Sequence, residues 1–202
     1  MILAGFGRFG HIVGRFLNVH GIKTTVLDLD AEQVELVRKL GLKVFYGDAS
    51  RLDLLQAAGA DKAKLIIIAI DDEEKSLLIV ETVQQHFPKL QILARAAGRD
   101  HAYRLLHHGV DHIFRETLGS SLDLSIAALR TLGFRAYEAQ RSAKAFRDYD
   151  EQTVRELAQY SEDESQLIAQ AKQRIRSLNE IFQTERHRPP PSDAGWDRPR
   201  AT

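Results

Sequence analysis

The chain of 202 residues has no cysteine, one methionine and no excess of either charge. The lack of cysteine excludes disulfides, thiolate catalysis and cysteine-ligated metal centres. Lysine and arginine together number 28, as do aspartate and glutamate. The charge balance therefore gives no reason to expect a nucleic acid or an anionic bilayer as partner.

Long hydrophobic runs are also missing. No window approaches the roughly 18 consecutive apolar residues of a membrane-spanning helix, and the N-terminus has no basic region followed by a signal-peptide core. We expect a soluble piece of protein. Because the first strand-like run begins at residue 2 with nothing before it, we also expect this piece to come from a longer polypeptide.

A glycine-rich segment follows that first apolar run. Residues 5–10 read GFGRFG and come directly after the apolar residues 2–4. In a strand, turn and helix of this kind, Gly5 makes the tight turn, Gly7 lets phosphate approach the backbone, and Gly10 lets the helix lie against the strand. The helix offers unpaired N–H groups and its positive dipole end to the phosphate. The segment predicts an adenine-nucleotide site.

A second apolar run ends in a carboxylate at the spacing expected of a ribose ligand. Asp28 closes the run 23–27, about twenty residues after the glycines, where an acid binds ribose hydroxyls. Its alternative role is a turn or cap, but Asp30 and Gln33 have capping-box spacing at the start of a helix predicted over residues 31–40. We therefore expect Asp28 to bind ribose and to disfavour the 2′-phosphate of NADP.

Two further acidic positions follow strand-like runs at the same edge of the predicted sheet. Asp48 either accepts a hydrogen bond from the adenine amino group or caps a helix that begins near Arg51, and the sequence does not separate these roles. Asp71 and Asp72 follow the fourth run, and we expect one of the pair to cap the helix predicted over 73–86.

Strand-like and helical runs alternate along the first part of the chain. The strand-like runs are residues 2–4, 23–27, 43–46, 65–70, 91–94 and 112–114. The run 65–70 is apolar throughout, which is typical of a parallel strand buried on both faces. The predicted fold class is α/β, a doubly wound Rossmann-type six-stranded parallel sheet followed by a helical extension. The first two intervening helices each present a predicted core face, formed by Ile12, Val13, Phe16 and Leu17 and by Val34, Leu36, Val37 and Leu40.

Only helical periodicity remains after Phe114. We predict helices over 118–132, 149–160 and 163–184, and three regions: a nucleotide-binding domain at 1–117, a helical dimerisation and gating extension at 118–186, and a disordered tail at 187–202. The extension is too apolar for a solvated arm. We expect its apolar side chains to pack on the sheet domain or on a second copy of that domain, namely Ala127, Ala128, Leu129, Leu132, Phe134 and Tyr137.

The sequence lacks a recognisable catalytic set. His108 and His112 have helical spacing, but Gly109 between them should end the helix, so we expect no metal site. None of the five tyrosines has a lysine four positions later, as the proton relay of a short-chain reductase requires. We therefore do not expect an enzyme.

Several of these segments together resemble the potassium-transport nucleotide-binding domain called RCK or KTN. They are residues 5–14, 26–30, 44–49 and 69–72. More narrowly, the phrases FYGDA at 45–49, RET at 115–117 and YEA at 137–139 resemble the C-terminal regulatory domain of Kef-type glutathione-gated potassium efflux systems. The resemblance covers roughly residues 1–160.

The resemblance implies a cytoplasmic domain attached to an inner (plasma) membrane potassium/proton antiporter, working as a homodimer. It implies AMP in the glycine crevice, with NAD or NADH as the alternative. In this family glutathione holds the transporter closed and glutathione adducts open it, often together with a flavin-containing ancillary subunit. The beginning of the chain at its first strand agrees with a membrane portion upstream.

The resemblance also implies a glutathione site. The matching positions are Arg15, Arg115 and Asp150, and two arginines suit a tripeptide with two carboxylates. Asp150 stands where the family pattern has an amide, and Leu40 stands where it has an aromatic that senses the adduct.

Two hypotheses of different classes follow. The first is a ligand-gated regulatory module of a potassium efflux system, and the alternative is an NAD-dependent oxidoreductase or its nucleotide-binding subunit. The missing catalytic set favours the first. The residues predicted to bind the nucleotide are Gly5, Gly7, Arg8, Phe9, Gly10, Asp28, Leu29, Asp48, Ala49 and Asp71.

Overall fold

A computed structural model describes residues 1–39, 41 and 43–186 of the chain. The strands are β1 (Ile2–Ala4), β2 (Thr25–Asp28), β3 (Lys43–Tyr46), β4 (Leu65–Ile68), β5 (Gln91–Ala96) and β6 (His112–Arg115). The helices are α1 (Arg8–Val19), α2 (Ala31–Lys39), α3 (Leu52–Ala57), α4 (Glu73–His86), α5 (Arg99–His107), α6 (Leu118–Thr131), α7 (Ala136–Leu157) and α8 (Glu164–Arg186), with short 3₁₀ turns at Ala60–Lys62 and Ala158–Tyr160.

All six strands form one parallel sheet in the order β3-β2-β1-β4-β5-β6. The chain moves outward from β1 through β2 to β3, then returns to place β4 on the other side of β1. This reversal creates a crevice between the loops that follow β1 and β4. The predicted doubly wound α/β sheet is confirmed.

The central strands are buried on both faces, as their composition requires. Ile66, Ile67 and Ile68 of β4 are buried, and so are Leu3 and Val26 of the neighbouring strands. Phe6 and Val37 complete the core cluster under the glycine-rich loop and α2. The core therefore holds β1, β2 and β4 rigidly, and it fixes where their carboxyl ends lie.

One predicted core face is wrong in part. Ile12 and Phe16 of α1 are exposed, and only Val13 and Leu17 pack, partly buried, on the core. The physical reason is that the sheet covers a narrow stripe of α1, while the apolar face of the sequence extends around the helix. For α2, Val34 and Val37 are buried; the side chain of Leu36, and Leu40, lie outside the described residues.

The chain divides into two compact units, the first from Met1 to Glu116 and the second from Thr117 onward. The second unit is helical and contains α6, α7 and α8. Helix α7 begins at Ala136, so the prediction that this helix starts at Tyr149 is wrong by more than three turns. Residues 187–202, predicted to be a disordered tail, lie outside the described residues.

Within the described ranges, every helix falls short of the combined length and apolarity that a membrane span needs.

Candidate functional site

A cleft of about 330 Å³ opens at the reversal point of the sheet. Its walls are the loops after β1, β2, β3 and β4 and the first turns of α4. The lining residues are Gly5, Gly7, Leu27, Asp28, Leu29, Asp30, Gly47, Asp48, Ala49, Ala69, Ile70, Asp71, Asp72, Lys75 and Ile79. Two backbone bonds hold neighbouring loops in register, since Gly5 N–H donates to the Leu27 carbonyl at 2.9 Å and Gly47 N–H donates to that of Asp28 at 2.9 Å.

The glycines of the first loop have distinct structural roles. Gly5 has a φ of +91°, which favours glycine. A Cβ on Gly10 would lie 2.0 Å from the Gly5 carbonyl oxygen, so α1 can only cross β1 this closely without a side chain there. A Cβ on Gly7 would meet nothing within 4 Å. Gly7 therefore borders open space in the cleft, and its small size serves no contact within the chain.

The N-terminus of α1 begins at this open space. Gly7 occupies the cap position without a side-chain hydrogen bond, and the first turn contains no acidic residue. The first N–H groups of a helix have no partner in the helix itself and carry its positive dipole end. An anion in the cleft next to Gly7 would be stabilised by both.

The Asp28 carboxylate is built into the wall of the cleft. Its Oδ2 accepts a hydrogen bond from the Phe6 N–H at 2.5 Å, and its Oδ1 accepts one from the Asp30 N–H at 2.8 Å. Asp30 in turn caps α2, because its Oδ1 accepts from the Glu32 N–H at 2.9 Å. The sequence predicts that Asp30 caps the helix and that Asp28 is free for ribose, but in the structure Asp28 also holds the glycine loop to β2. Each carboxylate oxygen keeps a second lone pair for a ligand hydroxyl.

Asp48 forms a turn with Ser50 and does not cap a helix. Its Oδ1 accepts from the Ser50 N–H at 2.9 Å and from the Ser50 hydroxyl at 2.7 Å, whereas α3 begins at Leu52 with no side-chain cap. The Ser50 N–H holds the pKa of Asp48 below its ordinary value, with help from the Ser50 hydroxyl, Lys75 and Arg51 against the opposing effect of partial burial. The carboxylate is therefore ionised at neutral pH and can accept a hydrogen bond from a ligand amino group.

The two acids after β4 have different roles. Asp72 caps α4, since its Oδ1 accepts from the Lys75 N–H at 3.0 Å. Asp71 lines the cleft with a side chain that is 74% exposed, and it accepts from Arg95 Nη1 at 2.5 Å. The prediction that one of this pair caps the helix is confirmed for Asp72.

The structure places most of the predicted nucleotide-binding residues on the cleft. Seven of the ten line it, namely Gly5, Gly7, Asp28, Leu29, Asp48, Ala49 and Asp71. Arg8, Phe9 and Gly10 lie outside the lining: Gly10 is buried under the loop, Arg8 is exposed, and Phe9 packs partly against the core.

Two residues at or near the cleft were not predicted from the sequence. Among the residues that the structure describes, Lys75 is the one basic residue on the cleft lining. Arg95 lies just beyond it in β5 and is buried. The signal for Arg95 was present, because a single charged residue within the buried strand sequence ILARA requires a partner.

The residues of the implied glutathione site lie on three elements. Arg15 is exposed on α1, Arg115 is half-buried at the end of β6, and Asp150 on α7 is only 6% exposed. Neither arginine lines the cleft at the reversal point of the sheet. Leu40 lies outside the described residues.

The two histidines with helical spacing in the sequence, His108 and His112, do not lie on one helix. His108 follows the end of α5, and its Nε2 lies 3.0 Å from Glu81 Oε1, while His112 begins β6. In the part of the chain that the structure describes, no cluster of three or more histidine, aspartate or glutamate side chains could hold a metal ion.

Comparison with known proteins connects this geometry to a family. The TrkA-N domain family matches residues 1–116, and the potassium efflux system KefB C-terminal domain matches residues 120–195.

Solved structures of related domains are similar to this chain. The Kef C-terminal domain of Shewanella denitrificans, in an AMP-bound form, is 46% identical over 78% of this chain and 96% of its own, with a TM-score of 0.72. The TrkA-N domain of the inner membrane protein ybaL from Escherichia coli is 24% identical over 61% of this chain and 91% of its own, with a TM-score of 0.57. The GsuK channel bound to NAD is 19% identical over 62% of this chain and 23% of its own, with a TM-score of 0.56. The last two show the fold alone.

The predicted resemblance to RCK domains is thereby confirmed: with one family pattern covering more than half of its length and a Kef domain 46% identical over 78% of it, this chain belongs to the TrkA-N family as the C-terminal domain of a Kef-type system.

Proposed function

We propose that the chain is the regulatory domain of a potassium efflux system, attached to a membrane potassium/proton antiporter, and that it binds AMP in the cleft at the reversal point of the sheet. The observation that carries the proposal is the cleft itself, which joins a glycine loop, an uncapped helix N-terminus and Asp28. The AMP-bound form of the related Shewanella denitrificans domain supports the choice of ligand.

Each part of AMP has a counterpart in the cleft. The phosphate would lie next to Gly7 at the N-terminus of α1, where unpaired N–H groups and the helix dipole favour an anion. The ribose hydroxyls would donate to the remaining lone pairs of Asp28. The adenine amino group would donate to Asp48, which Ser50 and Lys75 keep ionised. Leu29 and Ala49 supply apolar surface for the base.

The regulation that we propose is gating by glutathione and its adducts. Arg15 and Arg115 would bind the two carboxylates of the tripeptide, and Asp150 would take part from α7. The domain would respond to ligands without catalysing a reaction of its own.

The assembly that we propose is a homodimer on the cytoplasmic side of the inner (plasma) membrane, with a flavoprotein as ancillary partner. Exposed apolar side chains on α6 and on the segment that leads to α7 support association, among them Leu124, Leu132 and Phe134.

Thermal unfolding with and without AMP tests the nucleotide site. A ligand that binds only the folded state stabilises it by roughly 2.7 kcal/mol at a hundredfold excess over its dissociation constant. We expect AMP to raise the melting temperature of the wild-type chain and to have a much smaller effect on Asp28→Ala.

The control is Asp53→Ala, which removes an exposed carboxylate that pairs with Arg51 outside the cleft. This variant should respond to AMP as the wild type does. Equal AMP-induced shifts in wild type and Asp28→Ala would refute the ribose assignment.

A further inference from the structure

Arg95 carries a buried positive charge at the carboxyl end of β5. Its side chain is 5% exposed. Nη1 donates to the Ile70 carbonyl at 2.8 Å and to Asp71 Oδ1 at 2.5 Å. Nε donates to Glu116 Oε2 at 3.0 Å, and Nη2 donates to the same oxygen. One guanidinium thus joins the loop after β4 to the residue that follows β6.

The glycine loop also contacts this group. The Arg95 guanidinium carbon lies 5.9 Å from the centre of the Phe9 ring, within the range of a cation–π contact. Asp71, Glu116 and Phe9 therefore all contact the Arg95 side chain. A charge held by two carboxylates and an aromatic ring has little freedom to move.

The position of this cluster matters because of the strand order. A dinucleotide in a doubly wound sheet spans the reversal point, with one nucleotide on each side of it. Here the cleft lining comes from the loops after β1 to β4 and from α4, and no lining residue belongs to β5 or β6. Arg95 and Asp71 occupy the side towards β5, where the second nucleotide would lie.

We propose that Arg95 is a specificity-determining residue that restricts the cleft to mononucleotides and excludes the second half of NAD. The inference rests on the proposed nucleotide-binding function and decides between its two candidate ligands, AMP and NAD. To admit a second nucleotide, the cleft would have to displace the guanidinium from Asp71 and Glu116. That displacement would leave the buried charge of Arg95 without its carboxylate partners, which is strongly unfavourable. The cleft volume of about 330 Å³ also lies at the low end for ligand pockets, which span roughly 300–1,000 Å³.

The opposite role for Arg95 would be to attract the second phosphate of NAD. Its Nε, Nη1 and Nη2 already donate to protein acceptors, and its side chain is buried. A phosphate would have to compete with two carboxylates for these donors. The two roles predict opposite preferences, which makes them separable by experiment.

Isothermal titration of the full chain with AMP and with NAD⁺ tests the proposal. We expect the wild type to bind AMP at least about tenfold more tightly than NAD⁺. The double variant Arg95→Ala/Glu116→Gln removes the guanidinium together with the partner that would otherwise remain half-buried and charged. We expect it to lower the ratio of the NAD⁺ and AMP dissociation constants at least about fivefold. A ratio is the suitable measure because any general loss of stability affects both ligands alike.

The matched control is Arg104→Ala/Glu74→Gln. Arg104 also pairs with two carboxylates, those of Glu73 and Glu74, but on the outer surface of α5 and α4. This variant should keep the wild-type ratio.

Two results would overturn the proposal: a wild type that binds NAD⁺ as tightly as AMP or more tightly, or an unchanged ratio in Arg95→Ala/Glu116→Gln. If the double variant does not fold, Glu116→Gln alone should lower the ratio at least about twofold, because it loosens two of the bonds that fix Arg95. An unchanged ratio there would count against the proposal equally. A wild type that binds neither ligand would refute the proposed nucleotide site itself, an outcome distinct from AMP binding without selectivity.

Discussion

Asp28 has a structural role, and the ribose-binding role that we propose for it would use the same carboxylate. Its two oxygens accept the N–H groups of Phe6 and Asp30, so it joins the glycine loop to the loop after β2. These bonds also fix the orientation of the carboxylate towards the cleft, which reduces the entropy lost when a ribose binds. The geometry that would favour ribose binding by Asp28 is therefore the same geometry that holds the loop.

Asp150 is one of two positions where the chain departs from the glutathione pattern that the resemblance implies. An amide can donate to a glutathione carboxylate, whereas a carboxylate repels it unless an arginine compensates. We predict that Asp150→Asn strengthens glutathione binding by about tenfold to hundredfold, measured by calorimetry on the purified chain. Unchanged or weaker binding would show either that Asp150 pairs with the glutathione amine or that it lies outside the site.

His101 on α5 gives the chain a predicted sensitivity to acid. It is buried, its Nδ1 accepts from the Ala97 N–H at 3.3 Å, and its Nε2 has no hydrogen-bond partner in the described part of the chain. Burial lowers the pKa of His101 below its ordinary value, against the opposing charge of Glu73.

The sign of the resulting pH dependence follows from that lowered pKa. The unfolded chain binds the proton first, near its ordinary pKa of about 6.5, so the stabilising effect of neutral His101 is complete above this pH and is lost as the pH falls below it. We predict that the free energy of unfolding, measured with denaturant at pH 7.5 and 5.5, falls less in His101→Asn than in the wild type. Asparagine keeps an acceptor for Ala97 and cannot titrate. His86→Asn, at an exposed position, is the control. If the free energy of unfolding of His101→Asn falls between pH 7.5 and 5.5 by as much as that of the wild type, the prediction is wrong.

At the scale of elements, the two glycines at the start of α1 are expected to affect different properties, Gly10 the stability of the chain and Gly7 the binding of AMP. We predict that Gly10→Ala destabilises the chain by about 3 kcal/mol or more, because its Cβ would overlap the Gly5 carbonyl oxygen. Gly7→Ala should change stability by less than about 1 kcal/mol, since its Cβ meets no atom of the chain.

The binding measurement completes this comparison. Gly7→Ala should weaken AMP binding, because the added methyl group occupies the open space next to the α1 N-terminus. Denaturant unfolding and calorimetry check the two expectations. AMP affinity unchanged in Gly7→Ala would place the phosphate elsewhere.

Helix α7 shows how an element can be missed in the sequence. It begins at Ala136 after Arg135, which is not a preferred cap residue, and the Glu138 carboxylate instead accepts from the Arg135 N–H at 3.3 Å. The first half of the helix carries many polar residues, and most of its apolar residues are alanines. Its boundaries therefore depend on packing against α6 and α8 within the second unit.

At the scale of the whole molecule, exposed apolar side chains predict self-association. Leu124 and Leu132 of the second unit are largely exposed, and Phe134 and Tyr137 are partly exposed. Apolar surface of this kind is typical of an interface between copies of a chain. We predict that the chain sediments as a dimer and that Leu124→Glu/Leu132→Glu converts it to a monomer. Leu78→Glu, an exposed apolar position on α4, should remain dimeric; a monomeric wild type or a dimeric double variant would contradict the prediction.

The sequence by itself determined the sheet, its parallel strands and most of the cleft lining. These features follow from local rules, since a doubly buried strand must be apolar throughout, and the carboxyl ends of parallel strands lie at one edge. Glycine spacing and Asp28 also predicted a nucleotide site at that edge. The two acids after the fourth strand predicted a helix cap, which the structure assigns to Asp72.

Only the tertiary structure decided which residues share a contact across strands. That Arg95 joins Asp71 to Glu116 and that Ile12 and Phe16 are exposed both depend on distances between segments far apart in sequence. Composition fixes the partners that a buried charge or an apolar face requires, but only the packed chain fixes which partner is near. For the same reason the cleft was predictable from its loops, while the preference for one nucleotide over two that we propose could be inferred only from the packing around β5.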